Sequence, residues 1–314
     1  MAGPDFARPV APGGYAWWYV DALSDDATHG ITIIAFIGSV FSPYYAWARR
    51  RRPAAMPEAH CALNVAVYGP RAKRWAMTER GAGDLARERD RLVIGPSDLH
   101  WDGSQLRIRF DEITMPVPSR LRGEIRVTPS ALTGQVFALD APGRHHWSPF
   151  APAAHVNVRL EQPQLSWQGH GYFDGNFGDE PLEQGFTDWD WSRTRMPDGS
   201  SAVLYEARAR AVADERLLAL HFGADGRVQD FTPPELVRLP RSGWRVARAT
   251  RAHDGNARVL RTLEDTPFYA RSLLNTTLLG HEVTAVHESL SLTRFSQPIV
   301  QCMLPFRMPR RARR

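Results

Sequence analysis

Two cysteines, Cys61 and Cys302, are all the chain has, and no Cys-x-x-Cys occurs. That spacing gives neither a disulfide framework nor a cysteine metal site, and it fits a reducing compartment. There is no His-Glu-x-x-His, and His281-Glu282 is followed by a histidine only at His287, too wide for a helical zinc pair. The Gly-x-Ser-x-Gly elbow of serine hydrolases is missing, as is any Gly-Lys-Ser or Gly-Lys-Thr phosphate loop. Gly81-x-Gly83-x-x-Ala86 imitates a dinucleotide fingerprint, but Met-Thr-Glu-Arg precedes it where an apolar strand is needed, and charged residues follow. The longest apolar run, Ile31 to Trp47, is broken by Gly38, Ser39, Ser42 and Pro43. It falls short of the ~20 residues that span a bilayer. The first residues lack an apolar segment, so no signal peptide is expected. Helical periodicity is scarce too: the best candidate, Asp265 to Leu279, contains Thr276-Thr277.

What is present suits a large β-protein. The 314 residues are 43% hydrophobic, enough for two domains of ordinary size or one large β-structure. The net charge is +5, supplied almost wholly by arginine. Arginines bunch at Arg49–Arg52 and at Arg310, Arg311, Arg313 and Arg314. No RNA-binding or helix-turn-helix signature accompanies them, so nucleic acid is not an expected partner. An anionic membrane surface is the sharper reading, and a solvated loop and tail the plainer one.

Tyr15–Asp21, Gly30–Phe41 and Ala62–Tyr68 read as β-branched and aromatic strands, with Pro43-Tyr44-Tyr45 closing the second and a basic, Pro-rich loop over Arg49–Pro57. Asp-Gly, the type I′ hairpin signal, stands at Asp102-Gly103, Asp198-Gly199, Asp225-Gly226 and Asp254-Gly255. The expected fold is all-β and antiparallel, with two barrels or sandwiches. The break is expected near Pro181–Thr187, giving domains of residues 1–182 and 183–314.

Histidine, acid and aromatic side chains are densest between Gly143 and Trp191. Strand alternation would set His145 with His155 on one face and His146 with His170 on the other. Two same-face pairs stand out, His145 with Trp147 and Tyr172 with Asp174. Facing one cavity, they would supply an imidazole, a carboxyl and two aromatic faces. A carboxyl in an apolar pocket is held protonated and can act as a general acid. Aromatic faces stabilise a cation by about 2 kcal/mol when desolvated, and a neutral imidazole can take a proton from water. The same residues would equally arise from a tight β-bend beside a core tryptophan.

The chain resembles the bacterial carotenoid 1,2-hydratases, also called hydroxyneurosporene synthases. The resemblance covers most of its length. It rests on Pro12-Gly-Gly-Tyr-Ala-Trp-Trp-Tyr-Val-Asp21, Gly38-Ser-Val-Phe-Ser-Pro-Tyr-Tyr-Ala-Trp47, His60-Cys-Ala-Leu-Asn-Val-Ala-Val-Tyr68 and Arg74-Trp-Ala-Met-Thr-Glu-Arg80. It continues through His145-His-Trp-Ser-Pro149, Gly169-His-Gly-Tyr-Phe-Asp-Gly-Asn176 and Asp188-Trp-Asp-Trp191. It implies two lipocalin-like β-barrels, the first carrying the chemistry, and a cofactor-independent lyase that adds water across the C1–C2 double bond of acyclic carotenoids such as neurosporene and lycopene. The family's His, Trp, Tyr and Asp set falls on His145, Trp147, Tyr172 and Asp174. The resemblance also implies a cytoplasmic enzyme held at the inner or photosynthetic membrane, with other carotenoid-pathway enzymes as expected partners. A non-catalytic lipid carrier and a cofactor-free terpenoid cyclase or pericyclase are the alternatives.

Overall fold

Short β-branched runs closed by turn residues give short strands, and strands make up most of the chain. The computed structural model describes residues 3–70, 72–211, 213 and 215–311. In order, the strands are β1 (Tyr15–Ser24), β2 (Gly30–Ile37), β3 (Cys61–Tyr68), β4 (Arg74–Arg80), β5 (Leu85–Arg87), β6 (Arg91–Ile94), β7 (Ser97–Trp101), β8 (Leu106–Ile113), β9 (Arg120–Pro129), β10 (Phe137–Ala138), β11 (His145–Gln162) and β12 (Leu165–Gly178). There follow β13 (Phe186–Arg195), β14 (Ser201–Ala209), β15 (Arg216–Phe222), β16 (Val228–Asp230), β17 (Leu236–Leu239), β18 (Arg248–Arg251), β19 (Ala257–Asp265), β20 (Tyr269–Leu278), β21 (His281–Ser291) and β22 (Arg310–Arg311).

The chain divides into two compact units, one of Met1–Phe137, His145–Pro181 and Cys302–Arg314, the other of Ala138–Arg144 and Leu182–Gln301. The first holds a curled sheet in the order β22-β4-β3-β2-β1-β12-β11-β9-β8-β7-β6-β5. The second holds a seven-stranded sheet, β16-β15-β14-β13-β21-β20-β19, and the ribbon β17-β18. The C-terminal residues return to the first unit because β22 pairs with β4 and Arg310 meets the buried Glu79 carboxylate.

The two faces of the large sheet differ. Trp18 and Val20 of β1, Ile31 and Ile33 of β2, Leu63 and Val65 of β3 and Phe173 of β12 join one apolar core with Ile108, Ile125 and Val156. Each fully buried aliphatic side chain is worth roughly 1.5–3 kcal/mol. That core can support an opposite face that buries polar groups at a cost. The glycines of β12 belong to this packing and not to a β-bend. A Cβ at Gly171 would lie 2.4 Å from Val156 Cγ2 and 2.8 Å from the Asp21 carbonyl oxygen. The run is therefore one continuous strand in which glycine admits the neighbouring strand at close range.

Several local expectations change. Pro43–Arg51 is a helix, α1, where a turn and a basic loop were expected. The Ser42 hydroxyl accepts from the Tyr44 and Tyr45 amides, Pro43 occupies the first turn, and Arg49, Arg50 and Arg51 end the helix. That is an N-cap, a pre-set φ and cations at the negative end of the dipole. Asp265 to Leu279, the best helix candidate, holds the end of β19 and all of β20. The Asp102-Gly103, Asp198-Gly199 and Asp225-Gly226 turns do join paired strands. Asp254-Gly255 does not, although both residues have positive φ. It links β18, paired with β17, to β19, paired with β20. Gly81-x-Gly83 enters a three-residue 3-10 turn, Ala82–Asp84, and no dinucleotide-binding helix follows.

The basic clusters are also partly internal. Arg49 is buried, with its guanidinium 4.1 Å from the Tyr45 ring centroid. Tyr45 is buried too and donates its hydroxyl to the Gly14 carbonyl at 2.7 Å. Arg50, Arg51, Arg52 and Arg311 are exposed, while Arg313 and Arg314 lie outside the described residues.

Candidate active site

Alternation sets Tyr172, Asp174 and Asn176 of β12 on the face opposite the core. On one side the register brings Tyr19 and Asp21 of β1 across from Asp174 and Tyr172. On the other, Trp147 of β11 lies across from Asn176 and His145 from Gly178. All of these side chains are buried.

Asp174 is the hub. Its Oδ2 accepts the indole N–H of Trp147 at 2.7 Å and the hydroxyl of Tyr172 at 2.7 Å. An indole can only donate, so an acid proton on Asp174 belongs on its other oxygen, Oδ1. Burial first, and then the Asp174 charge, push the Tyr172 phenol well above its ordinary range. Tyr172 therefore stays protonated and remains a donor. The Tyr19 ring meets that of Tyr172 edge-on at 6.1 Å, and its hydroxyl donates to Asp21 Oδ2 at 2.8 Å.

His145 forms a second cluster one same-face step along β11. Its Nδ1 lies 2.9 Å from the Tyr15 hydroxyl and its Nε2 3.2 Å from Glu180 Oε1. A carboxylate only accepts, so Nε2 carries the hydrogen and Nδ1 is the basic nitrogen, accepting from Tyr15. The Tyr15 ring stacks on Trp17 at 4.9 Å.

The structure thus joins Trp147, Tyr172 and Asp174 directly and places His145 beside them with its own partners. His146 turns away, stacked on Phe177 at 4.8 Å. His155 is set directly opposite His170, not on the other face from it as the simple count gave. The hairpin sets that pairing: Leu160 lies opposite Leu165, so odd residues of β11 share a face with even residues of β12, and the two register shifts between Ser148 and Ala154 cancel to leave His145 and His155 on one face. Among the described residues, no three His, Cys, Asp or Glu side chains group as metal ligands. Tyr15, Tyr19, Asp21 and Glu180 were not singled out from the sequence. The alternation Tyr15-x-Trp17-x-Tyr19-x-Asp21 was the available signal for three of them, and Glu180 lies just beyond the strand end.

Residues 33–314 match the carotenoid hydratase family CrtC. The chain belongs to this family. It is 58% identical over 310 residues to the acyclic carotenoid 1,2-hydratase of Thiocapsa roseopersicina, covering 98% of this chain and 76% of that one. To the enzyme of the same name from Rubrivivax gelatinosus it is 52% identical over 311 residues, with the same two coverages of 98% and 76%. This hydratase is therefore an enzyme. Among solved structures, its fold is similar to that of an AttH protein of Nitrosomonas europaea, with a TM-score of 0.59 at 15% identity over 89% of this chain and 92% of that one. The likeness shows a shared β-rich architecture.

Proposed function

We propose that this hydratase adds water across the terminal C1–C2 double bond of an acyclic carotenoid, such as neurosporene or lycopene, through a tertiary carbocation. The observation that supports this most is the buried carboxyl of Asp174, gripped at one oxygen by an indole and a phenol that can also face a cation. Asp174 protonates C2 from Oδ1, and the π pair becomes the new C–H bond. The positive charge falls on C1, the more substituted carbon. Trp147 and Tyr172 stabilise it by about 2 kcal/mol where water is excluded. Water attacks C1, and its proton passes through the Tyr15 hydroxyl to Nδ1 of His145, whose charge Glu180 offsets. Return of that proton to Asp174 completes the cycle, and no step calls for a cofactor. In this reading the unit of Met1–Phe137, His145–Pro181 and Cys302–Arg314 is the catalytic lipocalin-like domain, and the unit of Ala138–Arg144 and Leu182–Gln301 a second one.

Incubation with lycopene in heavy-oxygen water, followed by mass spectrometry, is the test. The expected product carries one heavy oxygen. Bound but unchanged lycopene would mean a carrier, and an unlabelled isomer a cyclase. A carrier is disfavoured by the cost of burying two carboxyls and an imidazole on a face it would not use.

The substrate class implies work at a cytoplasmic membrane surface, the inner or photosynthetic membrane, where other enzymes of the same pathway would meet it. Exposed Arg50, Arg51, Arg52 and Arg311 are the cations available for docking, with half-buried Tyr44 and Trp47 beside them. Sedimentation with anionic liposomes is expected at low salt and to fail near ~0.5 M salt, where exposed charges are screened. Binding that ignores salt and lipid charge would remove this docking mode.

A further inference from the structure

The catalytic strand pair carries the same step twice. Tyr19-Val20-Asp21 on β1 and Tyr172-Phe173-Asp174 on β12 run antiparallel, with Tyr19 opposite Asp174 and Asp21 opposite Tyr172. In each, the tyrosine hydroxyl donates to the Oδ2 of the aspartate two residues on, at 2.8 Å and 2.7 Å. Direct cross-strand partners share a face, so both carboxyls point to the same side at diagonal positions. Asp21 is 0% exposed and Asp174 4%. The hydration reading gives Asp174 a proton to lose and leaves Asp21 without a task.

We propose that Asp21 is a positioning residue for the acid proton. Its carboxylate, diagonal to Asp174 across the Tyr172 ring, makes a second negative charge on this face unfavourable and so holds Asp174 in its protonated form. Two buried carboxyls at diagonal positions on one face disfavour a second negative charge, as any like-charge pair does. The device also serves the next step. Once Asp174 has given its proton to C2, its new carboxylate offsets the cation at C1, and the net charge of the site stays that of Asp21 alone until water adds and His145 takes its proton. The other titratable groups on this face of the sheet do not replace Asp21. Among the described residues, Tyr15, Tyr19 and Tyr172 are phenols, His145 is held by Glu180, Glu79 on β4 is met by Arg310, and His170 stands opposite Leu23 and His155, diagonal to Asp21 on the side away from Asp174.

The inference rests on Asp174 being the acid, and the test separates the two. The pH dependence of kcat for lycopene hydration is measured for the unsubstituted enzyme, Asp21→Asn and Asp174→Asn. A general acid works only while protonated, so activity falls as pH rises through its titration. Removing the Asp21 charge lets Asp174 lose its proton more easily. The alkaline limb of Asp21→Asn is therefore expected at least about one pH unit lower, with turnover recovered on acidification. An alkaline limb left in place in a folded Asp21→Asn enzyme overturns the proposal. Full activity in Asp174→Asn would instead overturn the acid assignment beneath it. Should Asp21→Asn not fold, carbon-13 carboxyl spectra of the unsubstituted protein decide. Two coupled titration steps shared by Asp21 and Asp174 are expected, and independent single steps would overturn the pairing.

Discussion

Replacing Asp174 by Asn is expected to leave the fold in place and to lower kcat by roughly 10²–10⁴-fold, the usual contribution of a general acid. The amide has the shape of the carboxyl, and its oxygen can still accept from Trp147 and Tyr172, the two donors now on Oδ2. What is lost is the transferable proton. KM should change little, because substrate binding draws on the surrounding apolar and aromatic surface and not on that proton. A circular dichroism spectrum and a thermal melt matching the parent would confirm that the loss is chemical. A folded Asn variant with near-parental kcat would remove Asp174 from the mechanism.

Trp147→Ala carries the largest expected stability loss, about 3–5 kcal/mol in denaturant unfolding. The side chain is fully buried, its ring lies 5.5 Å from that of Phe137, and its N–H satisfies a buried carboxyl oxygen. Truncation leaves both a cavity and an under-satisfied acceptor. Trp147→Phe separates packing from chemistry. It keeps most of the ring, so the stability loss should be the smaller of the two. The donor to Oδ2 disappears, and the best cation-stabilising ring gives way to a weaker one. Turnover is expected to fall about tenfold, equivalent to roughly 1.4 kcal/mol of barrier. Losing a donor that favours the ionised carboxyl should also move the alkaline limb upward, opposite in sign to Asp21→Asn. Parental activity in a folded Trp147→Phe enzyme would reduce Trp147 to a core residue.

The same residues show what a sequence can and cannot reveal. Hairpins at Asp102-Gly103, Asp198-Gly199 and Asp225-Gly226 were legible because the turn is encoded within two residues. The same-face pairs, His145 with Trp147 and Tyr172 with Asp174, followed from alternation over two residues, and the register agrees with both. Alternation failed across the β11–β12 hairpin, where Leu160 pairs with Leu165 and so sets His155 opposite His170. The pairing of β1 with β12 joins strands about 150 residues apart, and nothing local encodes it. Hence Tyr19 and Asp21 were read only as parts of an aromatic strand. Helix α1 was missed for another reason. Its signals, Ser42, Pro43 and the closing arginines, are present, but its aromatic residues favour strands and masked them.

The central claim is that Asp174 protonates C2 and that solvent supplies the oxygen at C1. The most direct measurement is turnover of lycopene in water labelled with both deuterium and heavy oxygen, with each label located by mass spectrometry and NMR. The expected product carries one heavy oxygen on C1 and one deuterium on C2, and Asp174→Asn forms almost none of it. A product with no solvent oxygen, or with deuterium at a carbon other than C2, would contradict the claim.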